Sequence, residues 1–219
     1  MAKKLGILIL LAAIVLVATA ASFSYRQMSG TAIVKGPADP SLVGTACVGF
    51  YSAVEQPAAT AVLPLLGTNY QAPTYGNNRL SVTPSGVICQ VPTDGGTVYL
   101  YESISVSVPI TTGHWVIRDF YAIGYPSNRG GGTVYLYARV SDVMGDAGEP
   151  SFDIAKLWFY RHSDSSWSWV DLRFSTTHFV PLPLTPGDAL WLELEIKTSQ
   201  AGSAAFRVEL YFTHEQEQP

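Results

Sequence analysis

From Val43 to Thr213 the chain is written in short runs in which apolar and polar residues take turns, separated by clusters of Gly, Pro, Asn, Asp and Ser. Period-two alternation places every second side chain on one face of an extended strand, so a strand with one buried face and one wet face reads this way. Val43–Tyr51, Gly86–Val91, Thr97–Val108, His114–Tyr125, Thr133–Ser141, Asp153–Tyr160, Trp167–Arg173, Ala189–Thr198 and Ala204–Thr213 carry such alternation or dense β-branched and aromatic residues. Helical periodicity is almost absent. The pattern predicts an all-β fold of about nine to eleven strands, a two-sheet β sandwich of jelly-roll or immunoglobulin-like type.

Two strands show the pattern most plainly. In Ala189–Lys197, Leu190, Leu192, Leu194 and Ile196 share one face, and Trp191, Glu193, Glu195 and Lys197 share the other. In the last strand Phe206, Val208, Leu210 and Phe212 oppose Arg207, Glu209 and Tyr211. Before the first of these, Pro186-Gly187-Asp188 is a turn in which proline sets the bend and glycine takes the positive φ of a type II turn. The run Gly95–Tyr101 recurs residue for residue as Gly131–Tyr137. An echo this short does not establish a repeat architecture; it predicts two similar strands whose tyrosines line one sheet face, with a duplicated half-domain as the alternative.

The texture differs between Gln56 and Pro84. Prolines and glycines there would interrupt regular strands, so a long connection is expected, with a short helical turn around Ala59–Leu63. Val62, Leu63, Leu65 and Leu66 are too apolar for a free surface loop, which predicts that the segment packs over a sheet edge or against a neighbouring subunit.

The N-terminus changes the picture. Lys3 and Lys4 precede an apolar run from Leu5 to Ala18, and Ala18-Thr19-Ala20 offers small residues to a signal peptidase. This is the layout of a secretory signal, so residues 1–20 are expected to be removed and the mature chain to start near Ala21, with the membrane met only during export. Two alternatives stay open: a retained anchor, for which the run falls short of the roughly 20 apolar residues a spanning helix needs, and a type IV pilin cut after Gly6 that keeps the run as a helix.

Composition fits an exported, packed domain. Of 219 residues, 47% are hydrophobic and 14% charged, which excludes a disordered chain. Loss of Lys3 and Lys4 takes the formal net charge from −4 to −6, a poor match for nucleic acid. Cys47 and Cys89, the two cysteines, lack metal-ligand spacing and read first as a disulfide in an oxidising compartment, with two buried free thiols as the alternative. Closing the loop between them would stabilise the fold by roughly 4 kcal/mol. No N-x-[ST] sequon is present.

Candidate chemistry is sparse. Nucleophile elbow, P-loop, zinc-protease helix and dinucleotide fingerprint are all missing from the sequence, and His114, His162, His178 and His214 stand apart, so no enzyme and no resident cofactor are expected. Asp142, Asp146, Glu149 and Asp153 crowd a glycine-rich loop, where a Ca²⁺ ion is the alternative to a solvated acidic turn. Trp158, Trp167 and Trp169 form a candidate sugar platform, with Trp167 and Trp169 pointing the same way from one strand.

The stretch after the cleavage site, 21–36, reads as an arm. Ser22-Phe23-Ser24-Tyr25 alternates, Thr31–Lys35 is a short strand, and Ser29-Gly30 joins them. Either it pairs within its own sandwich or it completes the sheet of the next subunit through Phe23, Tyr25, Ile33 and Val34. A signal peptide followed by Ala21-Ser-Phe-Ser-Tyr25, a strand near Thr31, a β sandwich and the Pro186-Gly187-Asp188 turn resemble the archaeal bundling pilins, relatives of the TasA and camelysin-type biofilm fibre proteins. The resemblance implies a homopolymer: a donor-strand-exchanged extracellular filament that bundles and supports adhesion in biofilms. A secreted carbohydrate-binding sandwich is the alternative from a different class.

Overall fold

A computed structural model describes residues 47–52, 55–64, 74–75, 78–129, 131–146 and 148–213, all within the compact unit Lys35–Pro219. The signal 1–20 and the arm 21–36, with Phe23, Tyr25, Ile33 and Val34, lie outside the described residues, as does His214.

The described strands are β1 Gly49–Tyr51, β2 Thr74–Tyr75, β3 Asn78–Arg79, β4 Ser81–Thr93, β5 Gly96–Ile110, β6 Gly113–Gly124, β7 Val134–Ser141, β8 Ile154–Arg161, β9 Ser166–Asp171, β10 Thr176–Leu184, β11 Ala189–Thr198 and β12 Gly202–Thr213. β2 and β3 pair with each other; the rest form one antiparallel ten-stranded sheet in the order β10-β7-β12-β5-β1-β6-β11-β8-β9, with β4 on β5. β9 and β10 stand at opposite ends of that path yet are joined through residues 172–175. The sheet therefore curls until its ends meet, and Ser168 Oγ lies 3.2 Å from His178 Nε2 across the seam. The two layers of the expected sandwich are halves of one continuous sheet, linked through the short β1.

Alternation decides what is inside. Leu190, Leu192, Leu194 and Ile196 of β11, and Phe206, Val208, Leu210 and Phe212 of β12, enter one core with Ile104, Val106 and Val108 of β5 and Leu157 and Phe159 of β8. Each such side chain stabilises the fold by about 1.5–3 kcal/mol on burial. In the sequence echo, Val98, Leu100, Val134 and Leu136 are buried; Tyr99, Tyr101, Tyr135 and Tyr137 take the alternate positions, with β12 between the two strands.

A second apolar cluster lies on the other face of β1, β6 and β11, where Tyr51, Ala122, Ala189 and Trp191 meet Val62 and Leu63. The Gln56–Pro84 segment thus includes a 3-10 helix, Pro57–Ala61, that covers the sheet. Gly124 makes the close approach possible: a Cβ there would stand 2.6 Å from both Leu63 Cδ2 and Tyr51 Cε1. Trp191 is consequently 5% exposed, although its strand position alone predicts a wet face. The expected disulfide is present, Cys47 to Cys89 with Cα atoms 6.0 Å apart, and it ties the residues leading into β1 to β4.

Two strands depart from the sequence reading. β4 starts at Ser81 and runs through Pro84 and Gly86, inside the segment expected to be a connection. β10 was not expected at all, because Pro181 and Pro183 interrupt His178–Leu184. Proline is tolerated where its missing N–H faces no partner, at sheet edges and irregularities. β4 pairs only with β5, and β10 ends the path with a register shift between Val180 and Leu184. Gly187 takes φ 95°, as the predicted turn requires, and Asp188 N–H donates to Thr185 O at 2.9 Å. No helix among the described residues is long and apolar enough to cross a membrane.

Candidate functional site

The sequence singled out Trp167 and Trp169, and the structure sets them in a larger aromatic face. β8 and β9 form a hairpin whose turn is held by Asp164: its carboxylate accepts from Ser166 N–H at 3.0 Å and from Ser166 Oγ–H at 2.5 Å, which holds its carboxyl below the usual range. This turn fixes the register, placing Trp158 opposite Trp169 and Tyr160 opposite Trp167. Leu157, Phe159, Ser168 and Val170 point inward and are buried; the aromatic residues take the other face. Trp158 meets Trp167 edge-on at 5.1 Å and Trp169 at 6.3 Å between centroids.

Polar groups frame these rings. Lys156 Nζ sits 4.1 Å from the Trp169 centroid. Glu195 of β11 accepts from Trp158 Nε1–H at 3.0 Å and lies 2.8 Å from His114 Nε2. The Arg173 guanidinium donates to both oxygens of Asp171, at 2.9 and 2.6 Å, holding the Asp171 carboxyl below its usual range. Between β9 and β10 a groove is lined by Trp167, Ser168, Trp169, Asp171, Thr176 and His178, and burial pushes the His178 imidazole below its ordinary value.

The clasp on Arg173 has a pH signature. A carboxylate depressed in the folded state contributes stability that is present above its unfolded value and lost as pH falls through its folded one. Asp171→Asn is therefore expected to weaken the fold at about pH 7, and the gap from the parent to shrink as pH falls through the depressed folded value of Asp171. Urea denaturation of both proteins over a series of falling pH checks it, and a loss that stays the same throughout would place the stabilisation elsewhere.

Sequence reading missed the extension of this face. His162 lies edge-on to Tyr160 at 4.7 Å and to Trp191 at 4.8 Å, and its Nε2 is 3.3 Å from Asp119 Oδ1. Asp119 has φ 51°, where the β6–β11 register shifts between Leu192 and Leu194, so an irregularity in the ladder aims this carboxylate at the ring. Glu193 is pushed up, mainly by burial and then by the Asp119 charge. The spacing of Tyr160 and Trp167 about the Asp164 turn was the signal available in the sequence.

Two acidic residues of the Asp142–Asp153 loop, Glu149 and Asp153, have separate partners. The Glu149 carboxylate accepts from Gly145 N–H at 2.8 Å and from Ala205 N–H at 2.9 Å, and Asp153 faces Lys197 at 3.8 Å. Among the described residues no three metal-ligating side chains stand together, those of Asp142, Asp146, Glu149 and Asp153 included.

Besides its ends at β9 and β10, which meet at the seam, the sheet has two unequal edges among the described strands. β4, paired only with β5, carries Pro84 and Pro92, which blunt it against further pairing. β6 has β11 on one side. On its other side β1 reaches Ala122–Gly124, and from Val116 to Tyr121 no described strand lies beside it. That stretch has no proline, Val116 is 51% exposed, and a small apolar hollow among Val108, Ile110, Ile117 and Ile196 opens near its start.

No family model matches the chain, and no curated protein matches it.

Proposed function

We propose that the protein is a structural subunit of a secreted extracellular filament, linked head to tail by the arm 21–36 of one copy pairing beside β6 of the next and bundling to support adhesion. The observation that carries this reading is the β6 edge: proline-free from Val116 to Tyr121, without a described neighbour there, and next to an apolar hollow, while the other long edge is blunted. A strand added at such an edge gains ladder hydrogen bonds along its length, and alternate side chains fill pockets.

The magnitudes agree. Burial of Phe23, Tyr25, Ile33 and Val34 would contribute about 6–12 kcal/mol, and each ladder bond about 1 kcal/mol net. Association costs about 4–15 kcal/mol. Because arm and edge are different surfaces, the contact is heterologous and builds an open polymer unless it closes into a ring.

Electron microscopy of the mature protein beside a version starting at Gly36 tests this. Threads are expected from the first and monomers from the second, with a peptide of residues 21–36 raising the melting temperature of the truncated form. Normal threads without the arm would refute the linkage.

A further inference from the structure

Arm-to-edge assembly makes no use of the outer face of β8 and β9. There Trp167 is 56% exposed and Trp169 37% exposed, and large aromatic side chains gathered on a surface mark a binding site. We infer that the groove between β9 and β10, walled by these two indoles, binds a chain of neutral pyranose sugars.

The geometry is preset. Two residues apart on one strand, the indoles present stacking surfaces about 7 Å apart. Trp158 abuts Trp167 edge-on, and Lys156 sits over Trp169. These contacts hold the rings in place before any ligand arrives, which lowers the ordering cost of binding. A pyranose ring offers a C–H face of partial positive charge that suits the negative face of an indole. Its hydroxyls need donors and acceptors, and the same groove supplies Thr176, His178 and Asp171.

Charge selects among ligands. Arg173 is clasped by Asp171 at 2.6 Å, Lys156 is opposite both Glu195 and Asp171 in the ladder, and Glu195 is met by His114. With its charges answered locally, the face has no free cationic field for a phosphate or polyanion. Thr176, His178 and Asp171 beside the rings give a hydroxyl-bearing chain polar groups to meet, which an apolar protein segment would not use.

Tryptophan fluorescence and calorimetric titration of the full mature protein with cellohexaose, xylohexaose, mannohexaose and chitohexaose test the assignment. Saturable binding of at least one is expected. Trp167→Ala and Trp169→Ala should each weaken it about tenfold or more, in line with single stacking contacts elsewhere, while the protein stays folded with at most a small fall in melting temperature. Phe174→Ala, which removes an aromatic side chain 61% exposed but outside the groove, should leave binding as it was. The inference is overturned by no saturable binding to any of the four sugars, or by binding that survives loss of both tryptophans. It is also overturned if the double variant changes the association state of a protein that binds no sugar, which would assign the face to a second copy. None of these results bears on the arm, whose test is separate.

Discussion

Phe159→Ala is expected to lower stability by about 3–5 kcal/mol, the range for deleting a buried phenyl ring. Phe159 is 0% exposed and is flanked in the ladder by Leu192 on β11 and Ser168 on β9. β11, its neighbour on one side, is held in register by both β6 and β8 and resists collapse into the space. The melting temperature should fall by roughly 10 °C for a domain of this size. Trp167→Ala, one residue beyond the directly opposed position on β9 but on the outer face, should cost about 1 kcal/mol or less. Thermal melts of the two variants side by side check the register itself. If the outward tryptophan proved the more destabilising, the inside and outside of the hairpin would be wrongly assigned.

Removal of the disulfide by Cys47→Ser with Cys89→Ser is expected to cost about 2–5 kcal/mol. The bridge closes a span with a sequence separation of 42. Within that span lie the 3-10 helix and the residues of the second cluster, Tyr51, Ala59, Val62 and Leu63. β1 is three residues long, with a single pair to β5, Phe50–Tyr101, and three to β6, so its own ladder is the shortest in the ten-stranded sheet. Unbridged, it should be the first part to open. Hydrogen exchange should then speed up over Gly49–Tyr51 and Ala122–Gly124, while the β8–β11 ladder stays protected until global unfolding. If melting with and without reductant coincides and exchange is unchanged, the bridge is not what secures β1.

The sequence made the inward faces legible because burial on one side of a strand forces period two. Leu190 to Ile196 and Phe206 to Phe212 were assigned to the core by alternation alone and are buried. The turn at Gly187 was legible for a different reason: only glycine adopts its φ without strain. β10 was hidden by Pro181 and Pro183, whose meaning depends on whether the strand has a neighbour on the proline side, and that is a tertiary fact. Trp191 was misjudged in the same way, since the segment that covers it comes from residues 57–63. At the aromatic face, Trp167 and Trp169 shared a strand and could be paired by spacing. Tyr160, His162 and Lys156 joined them only through the hairpin register, and Glu195 only through the β8–β11 ladder. The continuous sheet also exceeded the sequence reading, for the meeting of β9 and β10 follows from long-range order rather than from either strand's pattern.

If the proposed filament forms, tension entering through residues 21–36 would travel along the backbone to Cys47, just ahead of the short β1. There the covalent bridge to Cys89 offers a second route, into the middle of the thirteen-residue β4. β4 is laddered along β5 from Ser81 to Thr93, so a load directed along it would have to shear many hydrogen bonds together instead of unzipping them singly. The bridge would then act as a strain relief, keeping the short linking strand from being peeled out of the sheet when neighbouring subunits are drawn apart.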